Sequence, residues 1–370
     1  MQNVSVIGIG KLGLCFALTL EKAGYNVVGV DVNPEYVNLI NGKDLSSDEQ
    51  GVSETLKESK NFRATTNLKE AIKHSNVLYV VVATPSLKNG RYDHSQVDSL
   101  INNLLSFGKQ GKEKHLVICC TTMPGYCDSI KGKVESQGYT VSYNPEFIAQ
   151  GTILRDQARP DMVLIGEGSS VAGDLIQEMY EKMTLNEPRI CRMSAREAEI
   201  TKISLNCFLT TKIAYANMVG DIVLSSGGDP AKVLSAIGSD SRIGNKYLGY
   251  GYGYGGPCFP RDNRALALYA GDIGLEALIS LASDESNSKH LEFQARHFIE
   301  NARKRGAEEQ IVFDTVTYKP ESTLLVESQQ LAFAVKLAQS GLDVKIVERD
   351  SVLSELKETY GDLFTYERRK

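Results

Sequence analysis

Residues 3–33 read NVSVIGIGKLGLCFALTLEKAGYNVVGVDVN. A short apolar run, Val4 to Ile9, enters three spaced glycines, Gly8, Gly10 and Gly13, and an apolar-periodic stretch follows as far as Gly24. A second apolar run, Val27 to Val30, finishes on an acid, Asp31. Strand, glycine-rich turn, helix and strand in that order open a doubly wound dinucleotide-binding sheet. The glycines let the backbone N–H groups of this turn, those of Lys11 and Leu12 included, approach a pyrophosphate at the helix N-terminus, where the peptide dipoles favour negative charge. Asp31 would accept hydrogen bonds from a ribose diol and repel a 2′-phosphate, which selects NAD over NADP. A structural glycine turn followed by a chance acid is the competing reading; the complete strand and helix context argues against it.

The alternation of strand and helix continues. VLYVVVATP (77–85) and LVICCTTMPG (116–125) are buried-strand runs that reach Thr and Pro, and YTVSYNPEF (139–147) and MVLIG (162–166) add two strands. Thr84, Pro85, Thr122 and Glu146 therefore lie just past strand ends, where an open parallel sheet presents its ligand crevice. Each threonine taken alone fits a capping role equally well.

At 370 residues the chain exceeds one ordinary core, so two or three domains are expected. Lys plus Arg number 41 against 46 for Asp plus Glu, a formal net charge of −5, which gives no general attraction to nucleic acid or anionic lipid. No uninterrupted apolar run approaches the roughly 18 residues of a membrane span, and the N-terminus enters a strand without a signal-peptide profile. The expectation is a cytoplasmic protein with neither nucleic acid nor membrane as partner. The seven cysteines, an odd number without paired CxxC spacing, argue against a disulfide framework and against a metal site. Cys15, Cys119 and Cys120 read as small buried hydrophobes.

From Ala195 to about Ser226 the sequence keeps helical periodicity until Gly227 and Gly228 stop it. Such a length suits a connector between two α/β lobes or a dimerisation helix. Lys202 and Asn206, four apart, share one face of it, although a solvated lysine is the plainer reading of Lys202. After a shorter helix, DPAKVLSAI (229–237), comes a Gly- and Tyr-rich loop, GSDSRIGNKYLGYGYGYGGPCFPRD (238–262). Tyr247, Tyr250, Tyr252 and Tyr254 are candidates to stack or hydrogen-bond there. Low-complexity disorder is the alternative, but one cysteine, Cys258, flanked by Pro257 and Pro260 favours an ordered active loop. A thiolate attacking an aldehyde gives a thiohemiacetal, loss of hydride gives a thioester, and water releases a carboxylate.

In order and spacing these residues resemble the UDP-glucose/GDP-mannose dehydrogenase family from about residue 1 to 330. The markers are Gly8-Gly10-Gly13 with Asp31, Thr84-Pro85, Thr121-Thr122 with Pro124-Gly125, Asn144-Pro145-Glu146-Phe147, and Glu197-Ala198-Glu199 with Lys202 and Asn206. Asp240-Ser241-Arg242-Ile243-Gly244 and Gly255-Gly256-Pro257-Cys258-Phe259-Pro260-Arg261-Asp262 complete them. The resemblance implies NAD-dependent, four-electron oxidation of the primary alcohol of a nucleotide sugar. UDP-glucose going to UDP-glucuronate is the leading substrate, with UDP-N-acetylmannosamine and GDP-mannose as alternatives. It makes Cys258 the nucleophile, Lys202 and Asn206 the pair that steadies the oxyanion, Asp262 a proton or water handler, and Thr122 and Glu146 the holders of a water. Arg261 is assigned to the NAD phosphates. Phe147, Arg242, Tyr247, Tyr250, Tyr254, Gly255 and Lys319 are assigned to the substrate. A homodimer through the long helix is also implied.

The sequence departs from the family at Gln150 and Met218, where acids are usual. It departs again in IVFDTVTYKPESTLLVES (311–328), where Tyr318-Lys319 replaces Phe-Lys and Val326 stands for an arginine. About two strands, Ile311 to Val316 and Val344 to Val347, are expected in that region. The reading is an α/β protein: a Rossmann domain at 1–190, a central all-helical domain with one long helix at 191–304, and a shortened nucleotide-sugar-binding, Rossmann-like domain at 305–370. Two other functions stay open, a nucleotide-sugar-binding relative with little turnover and a simple two-electron dehydrogenase with no use for the thiol.

Overall fold

The computed structural model describes residues 2–148, 151–305, 310–320 and 322–369, except the side chain at 305. The chain forms two compact units, Met1–Lys202 and Ile203–Lys370.

The first unit is built on β1 (Asn3–Ile7), β2 (Asn26–Val30), β3 (Phe62–Thr65), β4 (Val77–Val80), β5 (Lys114–Ile118), β6 (Tyr139–Tyr143), β7 (Met162–Gly166) and β8 (Arg189–Met193). Their order in the sheet is β3-β2-β1-β4-β5-β6-β7-β8, parallel throughout except for β6 against β7. Helices α1 (Lys11–Lys22), α2 (Pro34–Gly42), α3 (Val52–Glu58), α4 (Leu68–His74), α5 (Ser95–Ser106), α6 (Tyr126–Glu135), α7 (Ile153–Ala158) and α8 (Ser170–Met183) join them. Strands covered on both faces are buried along nearly their whole length, as seen in β1, β2, β4 and β5, and β4 reads as an unbroken apolar run. One core gathers Leu14, Phe16 and Leu18 of α1 with Ile176 and Tyr180 of α8; the other gathers Val97 and Ile101 of α5 with Ile130 of α6. The strand order reverses between β1 and β4, and the glycine turn after β1 lies at that switch point.

The run 77–85 pairs as a strand only to Val80. Just beyond it Val81 N still donates to Ile7 O of β1, and a Cβ on Gly8 would lie 2.3 Å from the Val81 carbonyl, so the chain passes tightly against the glycine turn as it leaves the sheet. Cys15, Cys119 and Cys120 are buried, and burial pushes the Cys15 and Cys120 thiols up to about 12, consistent with their reading as hydrophobes.

Helix α9 (Ala195–Ser225) begins in the first unit and continues in the second. Among the described residues it is the one helix long and apolar enough, by length and composition, to cross a membrane. Its polar residues are dispersed along its length, and it contains no unbroken apolar run of that size. Several of those polar residues, Glu199, Lys202, Asn206 and Asn217, are bonded to other protein groups.

After α9 come α10 (Pro230–Gly238), α11 (Phe259–Asp272) and α12 (Leu278–Arg305), then β9 (Ile311–Phe313), α13 (Gln329–Gln339), β10 (Val344–Glu348), α14 (Asp350–Tyr360) and β11 (Thr365–Arg368). Three strands rather than two form the parallel sheet β11-β10-β9. The extra one, TYER, is short and mostly exposed, so no apolar run marks it.

Helix α12 connects the Gly- and Tyr-rich loop to the small C-terminal core. Ala295 belongs to that core, with Leu331, Phe333, Ile346 and Leu356, while Leu291, Phe298 and Ile299 pack on it. Toward its N-terminus the buried face is polar: Ser280, Ser283, Asn287 and His290. Asn287 clamps the loop by accepting from Tyr254 N at 2.9 Å and donating to Tyr254 O at 2.9 Å. His290 Nε2 lies 2.7 Å from Gly251 O, Gln294 donates to the same oxygen, and Asn217 of α9 accepts from Gly251 N. The loop is thus ordered by side chains in place of a ladder.

Replacing Asn287 by Ala orphans two buried backbone groups. Expected in urea unfolding is a loss of about 2 kcal/mol, with faster proteolytic cleavage between Tyr247 and Cys258. Unchanged stability and cleavage would show that the clamp does not order the loop.

Candidate active site

In the first unit the glycine turn has the form a dinucleotide requires. Gly8 has φ of +90°, in the left-handed region, and a Cβ on Gly13 would lie 1.9 Å from Gly8 O. A Cβ on Gly10 would meet nothing within 4 Å, so its absence serves close approach from outside rather than internal packing. Gly10 caps α1 without a side-chain hydrogen bond, and the first turn, with Lys11 and Leu12, holds no acid. The N–H groups at this end of the helix therefore face an anion site with the dipole behind them. Asp31 ends β2 and accepts from Asn33 N at 3.0 Å. These residues fit NAD.

Past the other strand ends, Thr84 is buried and donates to Thr121 O at 2.7 Å, and Pro85 is exposed. Thr122 is fully buried and donates to Glu199 Oε1 at 3.0 Å. The same Glu199 carboxylate accepts from Gly125 N at 2.6 Å and Cys127 N at 2.9 Å, holding the start of α6. Burial pushes its pKa up, and these donors pull it back.

Glu146 follows β6, beside Lys202 of α9. Lys202 donates to Glu146 O at 2.6 Å and lies 4.3 Å from the centroid of the Phe147 ring, which fixes the ammonium between a carbonyl and an aromatic face. The Glu146 side chain is within 3.1 Å of the Tyr180 hydroxyl. Burial pushes the Glu146 pKa up to about 7, against the opposing pull of Tyr180 and Lys202. A carboxyl with that pKa exchanges protons near neutral pH.

In the second unit Cys258 is exposed at the N-cap of α11. Pro260 lies in the first turn, and a helix N-terminus favours negative charge on a nearby sulfur. The glycines before it are sterically required: a Cβ on Gly255 would lie 2.1 Å from Glu327 O, and one on Gly256, at φ +79°, 2.4 Å from the Tyr318 ring. Gly256 N also donates to Val326 O at 3.1 Å. One turn into α11, Asp262 is buried, accepts from Asn206 Nδ2 at 2.7 Å and pairs with Arg261 at 3.3 Å. Beyond it Arg264 makes a two-pronged pair with Glu327, at 2.6 and 2.9 Å.

Other expected residues are placed differently. Arg242 is exposed and turned onto its neighbour Asp240, at 2.7 Å. Tyr250 donates to Asp221, and the buried Tyr254 to Asp284, so both hydroxyls are engaged within the unit. Tyr247 is exposed at φ +61°, and Lys319 lies 5.8 Å from the Tyr318 ring centroid. Met218 is exposed; Gln150 lies outside the described residues. Glu199, Tyr180, Asn287 and Glu49 were not singled out for a role in the sequence. Glu49 is buried, accepts from Gly151 N at 2.8 Å and stands 3.9 Å from Lys11.

The family model for the NAD binding domain of the UDP-glucose/GDP-mannose dehydrogenase family matches residues 2–184, and that for the central domain matches 196–289. The chain belongs to the UDP-glucose/GDP-mannose dehydrogenase family. It is 28% identical over 361 residues to GDP-mannose 6-dehydrogenase of Pseudomonas syringae pv. syringae, covering 94% of this chain and 81% of that one. With UDP-glucose 6-dehydrogenase of Pseudomonas aeruginosa it is 29% identical over 356 residues, covering 93% and 78%. The solved UDP-glucose dehydrogenase of the archaeon Pyrobaculum islandicum superposes with a TM-score of 0.85 at 28% identity, over 99% of this chain and 86% of that one. Family membership makes this chain an NAD-dependent dehydrogenase.

The two glycines separate binding from folding. Gly10→Ala is expected to melt with the wild type and bind NAD about tenfold or more weakly in calorimetric titration, because its Cβ enters only ligand space. Gly13→Ala is expected to lose thermal stability as well, its Cβ having no room against Gly8 O.

Proposed function

We propose that this protein oxidises the C6 primary alcohol of UDP-glucose to the carboxylate of UDP-glucuronate, through a thiohemiacetal and a thioester on Cys258. The observation that carries the reading is the exposed thiol at the α11 N-cap, set behind two obligatory glycines and one turn before the Asn206–Asp262 pair. Bound NAD supplies the hydride acceptor for each of the two oxidations. The chain's residues supply the rest. Glu146, with Thr122, holds water and accepts the alcohol proton and later a proton from the hydrolytic water. Cys258 adds to the aldehyde carbon, the C–S bond persists through the second oxidation, and water breaks it to free the carboxylate and the thiol. Lys202 and Asn206, in successive turns of α9, steady the oxygen that carries negative charge. Asp262 handles the proton of the thiol. The glycine turn, Asp31, Thr84, Pro85 and Arg261 hold the cofactor; Phe147, Arg242, Tyr247, Gly255 and Lys319 meet the sugar nucleotide, and Tyr250 and Tyr254 shape the loop around it.

The proposed division of labour is 1–190 for NAD, 191–304 for chemistry and dimerisation, and 305–370 for the nucleotide. A cytoplasmic homodimer is the proposed form. It is supported by the exposed apolar side chains Phe208, Tyr215, Met218 and Ile222, whose spacing puts them along one side of α9. GDP-mannose is the second substrate reading, since relatives of equal identity bear that name; UDP-N-acetylmannosamine is the third.

The test is NADH formed per sugar consumed, with UDP-glucose, GDP-mannose and UDP-N-acetylmannosamine in parallel. Expected are two NADH per UDP-glucose, and a Cys258→Ser variant that fails to complete the turnover. One NADH with an indifferent variant would falsify the thiol mechanism, and turnover confined to another sugar would replace the substrate.

Because Glu146 works as a base and must be ionised, kcat/KM is expected to fall about tenfold per pH unit below about 7. Glu146→Gln should lose most activity and this acid limb with it. A limb that persists in the variant assigns the base elsewhere.

A further inference from the structure

Tyr180, on α8, ends in a hydroxyl that faces two acceptors at once: Asn144 Oδ1 at 2.9 Å and Glu146 Oε1 at 3.1 Å. The orientation of the Asn144 amide is fixed, because its Nδ2 donates to Leu164 O at 2.9 Å and only its oxygen is left for the tyrosine. Asn144 is fully buried and Tyr180 nearly so. One phenolic proton therefore serves two oxygens, that of the buried Asn144 and that of the half-buried Glu146.

We propose that Tyr180 is a positioning residue whose hydroxyl follows the charge of Glu146, donating to the carboxylate when it is ionised and swinging to Asn144 when it is protonated. In the first state the Tyr180 proton points to Glu146 Oε1. When Glu146 gains a proton its O–H becomes a donor, the phenolic oxygen accepts it, and the phenolic proton turns to Asn144 Oδ1. No proton leaves Tyr180 in either state. A base that must cycle its proton in each turnover is thus held in one geometry in both forms, with no buried polar group orphaned in either.

The groups facing Glu146 come from four elements. Lys202 of α9 and Tyr180 of α8 favour its ionised form. Tyr79 of β4 and Cys119, just past β5, are both buried and feel the Glu146 charge, which with burial holds each of them protonated. Phe16 packs beside both tyrosines, its ring 4.8 Å from that of Tyr79 and 6.5 Å from that of Tyr180. Tyr180 is thus a neutral donor whose removal withdraws a hydrogen bond from the carboxylate without changing the fixed charges.

The inference rests on Glu146 as the base, and two readouts keep the claims apart. The carboxyl C=O stretch of Glu146, identified as the infrared band missing in Glu146→Gln, is titrated in the purified protein without substrate, and the acid limb of kcat/KM is measured in parallel. Expected for Tyr180→Phe is an upward move of both titrations by about one pH unit, because the carboxylate loses a donor. Asn144→Ala is expected to move both downward, since the phenolic proton then has Glu146 as its sole acceptor; thermal melts confirm that each variant is folded. Infrared titrations unmoved in both variants, or moved in the same direction, overturn the proposal. An infrared shift without a shift of the kinetic limb upholds the role of Tyr180 and instead removes Glu146 as the base.

Discussion

A loop that presents an exposed thiol has to satisfy its own backbone without a ladder, and this constraint organises the second unit. Between Gly249 and Cys258 the chain is neither helix nor strand, yet its N–H and C=O groups are met by Asn217, Asn287, His290 and Gln294. Those four side chains come from α9 and α12, so the two longest helices of the protein act as a rigid frame for a short irregular segment. Behind the loop, Asn263, Thr210, Tyr254 and Asp284 form a buried polar cluster, each member bonded to another. A network satisfied to this degree fixes one conformation, which an apolar packing of the same volume does less well.

The first unit solves a related problem with carboxylates. Glu199 sits in the first turns of α9, and its two oxygens collect Thr122 and two N–H groups at the start of α6. Glu49 does the same for the turn at Gly151. In both cases a buried acid accepts from backbone N–H groups that lie outside the strand ladders. Lys202 is restrained in the same spirit, by a carbonyl and a ring. A long cationic side chain held between two such groups has already lost the rotamer freedom that a solvated lysine keeps.

How far the sequence revealed this follows from which signals are local. The glycine turn was legible because backbone conformation and helix phase are written in neighbouring residues: Gly8 is where φ is positive, and Gly13 is where helix and strand touch. The length of α9 was legible for the same reason, and so was the order of the loop that carries the thiol between prolines. Helix α12 was not, because its buried face is built from Ser280, Ser283, Asn287 and His290, which have no apolar period. Tyr180 reads as one more core aromatic on α8; its second role exists only through Asn144 and Glu146, far away in sequence. Buried polar groups of this kind are defined by partners, and partners are a tertiary fact.

The distribution of thiols has a consequence for how the protein ages. Of seven cysteines five are buried, Cys191 is half-buried, and Cys258 alone is exposed. Burial keeps Cys15, Cys120 and Cys207 as unreactive thiols, each with its pKa pushed up to about 12. Among the thiols, oxidants and electrophiles therefore meet first the one at the head of α11, whose oxidation runs through sulfenic and sulfinic to sulfonic acid. That thiol lies outside the two cores of the sheet and outside the small C-terminal core, so its oxidation marks the loop and not the packing of either unit.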